Sequence, residues 1–492
     1  MANQIPFIGF APDIDQTIPG VITDAQAISP SMHGYYGGAG LADTGLATFT
    51  DTPLSAAALV QLSGTIRTFV GSPTKIYEKV GTTWTDRSRV GAYAASVSNP
   101  WRFAQFGKTS LAINKSDQLQ SSAAGVFANL NAPTAGVMCT WKGFVILANT
   151  NNGGSGTVYG DSPSRWWTSA YLDETSWTPS IATQCTTGEL VETPGKITGL
   201  KVLGEYVIAY KEESIYVGRD AGSPTVIQFS LVPGEIGCAS QDAIVNIGNA
   251  HIFIGKNDIY MFDGNSVKPM GEPLRLWFFA DMDATYVSRI QAIHNKQYGF
   301  VTFSYPRLGS AGVLNGGVTY NYRTNKWGID HRFVSSPFEY ISGGYTYDTL
   351  PIEGKTYADW PAIAYDDPFW DASKLLIAFF GQDGKVYAII NINSSNATPS
   401  YITTGTYGDE NAYTYLDLVT LRYLIKPTAT PTMTHFYTDN IGGDWTQGQT
   451  ITETNGRFDV MWSAPWHKVR FNFTGFFEVT GASVNSKPSG LK

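Results

Sequence analysis

The sequence is short of cysteine, of charge and of long apolar runs, and each shortage excludes something. Its three cysteines, Cys139, Cys185 and Cys238, are odd in number, widely spaced and outside any CxxC or Cys/His ligand spacing. Neither a disulfide framework nor a structural zinc site fits that pattern. Charged residues are only 15% of the 492 positions, the net charge is −8, and no basic run occurs. Tight nucleic-acid binding needs clustered Lys and Arg to neutralise phosphates, so that class is set aside. No apolar stretch approaches the ~18 residues of a membrane-spanning helix. The opening MANQIPFIGFAPDIDQ has neither the charged head nor the apolar middle of a secretory signal, so synthesis in a reducing cytoplasm is expected. The histidines, His33, His251, His294, His331, His435 and His467, fall in no metal-binding spacing. There is no nucleophile elbow and no Walker loop. No catalytic, metal or cofactor-binding residue is therefore assigned, no cofactor is expected, and the chain is not expected to be an enzyme.

What is present is material for sheets and turns. Aromatic residues are 13% of the chain and glycines number 51. Residues 250–264, AHIFIGKNDIYMFDG, read as strand, tight turn, strand, with a Gly/Asn/Asp cluster at the turn. The phrase returns as EYVIAYKEESIYVGRD at 205–220 and as TIRTFVGSPTKIYEKVG at 65–81. Together with weaker echoes, these phrases give the landmarks Tyr77, Leu119, Trp167, Tyr216, Tyr260, Tyr320 and Tyr387, spaced 42, 48, 49, 44, 60 and 67 residues apart. Blades of four short antiparallel strands occupy about 40–50 residues, so four spacings fit and two require insertions. The expected fold is all-β, a β-propeller of about seven to eight blades, because a closed ring removes the exposed edges of isolated hairpins. Trp84, Trp177 and Trp327, each following a hairpin, are read as packing aromatics.

Three regions are expected. Residues 1–53, rich in Pro and Gly, form an extended arm whose apolar Phe7, Phe10 and Ile14 bury against their own domain or a neighbouring subunit. Residues 54–400 form the propeller, with a short helix within 273–294 and a long aromatic insertion near 335–374. Residues 401–492 form a β-rich region, a closing blade or a small sandwich, ending in a frayed tail. The period-two stretch Lys468-Val469-Arg470-Phe471-Asn472-Phe473 belongs to it.

Three pieces in order resemble the tail nozzle proteins of short-tailed bacteriophages, the group that includes packaged-DNA stabilisation and tail tubular proteins. They are the arm GFAPDIDQTIPGVITDAQAISPSMHGYYGGAG, the hairpin GKNDIYMFDGNSVKPMGEPL and the closing GRFDVMWSAPWHKVRFNFTGFFEVTGASV. The resemblance implies a structural virion protein of a podovirus tail, assembled in the host cytoplasm as a homo-oligomer, a hexamer. Such a ring continues and gates the DNA channel below portal and adaptor proteins, and docks fibre, spike or needle proteins. Viral DNA passes during ejection without tight binding, which the negative balance favours. On this reading Phe7, Phe10, Ile14, Tyr35, Tyr36, Trp360, Asp366, Asp367 and Trp370 are candidate subunit-interface residues. The alternative from another class is a carbohydrate-binding or carbohydrate-hydrolysing propeller. Asp366, Asp367 and Asp371 beside Trp360 and Trp370 would supply paired carboxylates and stacking rings.

Overall fold

The computed structural model describes residues 3–37, 40–151, 162–341, 375–389 and 398–491. The repeated phrase folds the same way each time. Ser72 N–H donates to Lys75 O (2.8 Å), Lys211 N–H to Ser214 O (2.8 Å) and Gly255 N–H to Asp258 O (3.0 Å), each closing a turn between two strands. At the last turn the buried Asp258 carboxylate also accepts from Ile259 N (2.7 Å) and Gly271 N (3.0 Å). Each hairpin is the middle of a four-stranded antiparallel sheet, and every landmark lies on the third strand or, for Leu119, immediately before it.

Five such blades follow in chain order, starting with the strands Ser55–Val60, Arg102–Phe106, Thr134–Trp141, Ile197–Leu203 and Ile244–Asn246. Next come four strands, Gln291–Asn295 to Lys326–Ile329, that open a larger ten-stranded sheet. A sixth separate blade, from Ser335–Ile341, completes the circuit. The first strand of each unit touches the first strand of the next, and Ser335–Ile341 returns to Ser55–Val60. The molecule is therefore a β-propeller of six separate four-stranded blades plus additional sheets built from the chain ends. Its closure comes from the arm, because Leu41–Asp43 pairs with Tyr387–Ile389 as the outer strand of the sixth blade. The C-terminal region supplies no strand of this blade; its strands lie in two other sheets, the layers of a sandwich.

The sandwich uses both ends of the chain. One layer continues the ten-stranded sheet through Ile28–Pro30, Tyr35–Gly37, Glu478–Leu491, Ala412–Ile425 and Phe458–Ala464, with Asn3–Pro6 on Glu478–Leu491. The tail expected to fray is a 14-residue strand paired along Ala412–Ile425. The other layer runs Gly9–Phe10, Val21–Gln26, Ser400–Thr404, Trp466–Phe473, Thr432–Thr438 and Thr446–Thr452. From His467 to Phe473 the strand Trp466–Phe473 alternates buried and half-buried side chains, as its period demands. Leu416, Val419 and Phe458 from one layer share a core with Met433, Val469 and Phe471 from the other.

Aromatic clusters fill the seams of the ring. Phe69, Trp101 and Phe127 join the first and second blades, and Trp166 and Tyr216 the third and fourth. Phe49 of the arm packs on Tyr77, Trp84 and Phe380, tying the sixth blade to the first. Trp177 and Trp327 are buried, and Trp84 is half-buried, in packing positions. The seam between the ten-stranded sheet and the sixth blade differs. Among the described residues no apolar cluster spans it, and a cavity of about 70 Å³ lies there against Thr302, Ser304, Thr319 and the ion pair of Arg332 with Asp330.

Candidate functional site

The arm residues expected at an interface are mostly taken up by the chain itself. Phe7, Phe10 and Tyr35, expected as subunit contacts, are buried in the main core. The reason is pairing as well as apolar area: Phe7 N–H donates to Thr480 O (3.0 Å), and Phe10 stands edge-on to Trp277 at 5.3 Å. The Tyr35 hydroxyl accepts from Phe10 N–H (2.7 Å) and donates to Trp327 O (2.8 Å). Burial pushes the Tyr35 pKa far above its ordinary value. Ile14 is half-buried in a turn, and half-buried Tyr36 stacks on Phe476 at 6.0 Å. Trp360, Asp366, Asp367, Trp370 and Asp371 lie outside the described residues.

Asp13 of the arm does something no local motif announced. Its carboxylate accepts from Leu276 N and Trp277 N (3.0 Å), capping the helix Arg275–Asp281 from across the fold. The Asp173–Trp177 turn is structural: the Asp173 carboxylate accepts from Thr175 N (2.9 Å), and Trp177 is buried.

The residues best placed to meet a ligand line the bore of the ring. Arg102, on the innermost strand of the second blade, crosses to the turn that opens the fifth. Its guanidinium donates to Gly136 O and pairs with Asp242 at 3.1 Å. Beside it Gln241 bridges to the third blade, donating to Met138 O (2.8 Å) and accepting from Met138 N (3.3 Å). These side chains bar the bore between two openings. One is a cleft of about 580 Å³ lined by Asp51, Asp242, Arg289, Gln291 and Asp383. The other, about 320 Å³, is lined by Lys201, Asn246, His294, Lys296 and Glu339. Burial pushes the Lys201 pKa down, with nearby Asp242 opposing that shift and Arg102 adding to it. Burial likewise lowers the pKa of His294.

Sequence reasoning missed Arg102, Lys201, Gln241 and Asp242. The only trace is a charge within an otherwise apolar strand, as Lys201 stands in ITGLKVL. Among the described residues no group of three His, Cys, Asp or Glu could hold a metal ion, and the three cysteines are free and buried. Burial pushes the Cys139 and Cys238 pKa values up to about 12. No helix among the described residues is long and apolar enough to cross a membrane.

No protein-family model and no curated protein matches this chain. Solved structures that resemble it do so distantly. The Neurospora crassa Pan2 WD40 domain is 8% identical, with 71% of this chain and 94% of that one covered at a TM-score of 0.39. The N-terminal domain of Nup159 is 7% identical, with 74% and 97% covered at 0.39. A fungal alcohol oxidase in complex with copper is 11% identical, with 88% and 98% covered at 0.40. Likenesses this distant attach no function to this chain.

Proposed function

We propose that the protein is a structural component of a short-tailed phage tail, a nozzle subunit that assembles with its own copies on the portal and adaptor. The observation that carries this reading is how the two chain ends are used. The arm gives strands to the sixth blade and to both sandwich layers, and the C-terminal strands complete those layers. Ring and sandwich are thereby locked into one body, as suits a part that must hold its shape under load. Exposed Met461 and Trp462 on the sandwich strand Phe458–Ala464 offer the kind of side chains enriched at protein interfaces. In this reading the propeller's own bore is not the DNA path, because an arginine side chain spans it. The DNA channel is the space enclosed by several copies, whose net charge of −8 each disfavours retention of phosphate. A ring of about seven inward-facing strands is the finer architecture we assign, counting the start of the ten-stranded sheet as a blade.

The test is mass measurement and negative-stain imaging of the purified protein, alone and with a portal–adaptor complex. Rings around a central hole, or assembly only on the adaptor, are expected. A stable monomer indifferent to the adaptor would overturn the proposal, and glycan binding would then test the carbohydrate reading.

A further inference from the structure

The bore holds a charge imbalance that its own residues leave uncancelled. Arg102 is committed to Gly136 and Asp242, while its buried Nε has no partner. Lys201, on the innermost strand of the fourth blade, makes no hydrogen bond or ion pair among the described residues. Two cations thus face one carboxylate inside a chain whose net charge is −8. The opening beside Lys201 is walled by apolar Ile244 and Phe338, and Lys296 at its rim lies 3.6 Å from Glu339. The apolar side chains give the Lys201 amine no competing acceptor on that wall.

We propose that this opening is a binding site for a small oxyanion, a carboxylate or a phosphate, received by the Lys201 amine, with Lys296 and its partner Glu339 at the rim. Asp242 lines the opposite cleft and is paired with Arg102, so it is not free to neutralise the Lys201 amine. The volume of about 320 Å³ is about ten times a water's share of liquid volume, enough for a small oxyanion that keeps part of its hydration. The lowered Lys201 pKa fits an amine short of solvation, which an anion would restore. This site stands or falls independently of the tail assignment.

The full chain is titrated by calorimetry with inorganic phosphate and separately with acetate, against chloride at equal ionic strength. Saturable binding of at least one oxyanion is expected, and the one that saturates distinguishes a phosphate from a carboxylate ligand. Lys201→Met is expected to weaken binding tenfold or more. Lys256→Met, which alters an exposed lysine paired with Glu213, is expected to bind as the unaltered protein does. Absence of saturation with both probes, or equal affinity in Lys201→Met, overturns the proposal; the latter would mean an adventitious ion only. A second measurement needs no variant. The saturating oxyanion should slow acetylation of Lys201 by an amine-reactive ester about fivefold, read by peptide mass, and leave Lys256 unprotected. Equal labelling of Lys201 with and without the oxyanion overturns the assignment too.

Discussion

Lowering the pH from 7.5 to 4.5 should loosen the C-terminal sandwich through two buried histidines. His435 and His467, on the paired strands Thr432–Thr438 and Trp466–Phe473, are both fully buried. A carbonyl can only accept, so His467 Nε2–H donates to Thr414 O (2.7 Å), and its Nδ1 carries a lone pair. His435 Nε2–H therefore donates to that Nδ1 (2.9 Å), leaving its own Nδ1 buried without a partner. Both rings are neutral in this chain of bonds. Burial, with the neighbouring His467, pushes the His435 pKa down to about 4 from 6.5. Below pH 6.5 the unfolded chain binds a proton that the folded one refuses, so stability rises with pH across this window. The contribution is complete above pH 6.5 and lost as pH falls toward 4. By pH 4.5 the loss from this one site is about 2.5 kcal/mol. His435→Gln keeps a donor for His467 Nδ1 but does not titrate. Urea unfolding followed by tryptophan fluorescence should show a pH slope flatter by about that amount in the variant. The residual slope belongs partly to His251, held near pKa 4 by burial while bonded to Tyr210 and Val202. Parallel curves for the two proteins would refute the account.

Other outcomes follow from single contacts. Glu78 sits between Arg67 (2.6 Å) and Arg87 (2.7 Å); burial alone would raise its pKa, but the two guanidinium groups outweigh that and hold it below the ordinary value. Glu78→Gln strands the buried Arg67 and should cost about 3–5 kcal/mol in chemical unfolding. Tyr35→Phe leaves Phe10 N–H and Trp327 C=O without their buried partner. A loss of about 2–3 kcal/mol and a lower melting temperature are expected. Asp13→Ala uncaps the helix Arg275–Asp281 and should cost about 1 kcal/mol, with faster hydrogen exchange at Leu276 and Trp277. Replacing both Arg332 and Asp330 by leucine removes a half-buried pair with unpartnered donors, so stability should hold or rise by about 1–4 kcal/mol. A substantial loss on thermal unfolding would contradict that.

Much of the ring was legible because its code is local. Ser72, Lys211 and Gly255 each open a turn closed three residues later, and that turn chemistry is written in contiguous residues. The landmark aromatics marked one strand per unit for the same reason, since a pleated strand flanked by blades selects large β-formers at a fixed place. The helix appeared within the interval expected of it. The arm was legible only as unstructured-looking sequence with apolar residues in search of a core. Phe7, Phe10 and Tyr35 have no local period, so nothing nearby in the chain could show that their partners are Thr480, Trp277 and Trp327. The bore was least legible, because Arg102, Lys201 and Asp242 are mutually remote and share no motif.

By itself, then, the sequence determined an all-β chain of repeated four-stranded units, since hydrogen-bonded turns and period-two burial are properties of a few neighbouring residues. Only the tertiary structure decided which strand closes the ring, how the two ends share a sandwich, and which charges meet in the bore. Those depend on the angle each sheet adds around the ring, a sum over the whole chain that places Leu41–Asp43 beside Tyr387–Ile389 and Arg102 beside Asp242.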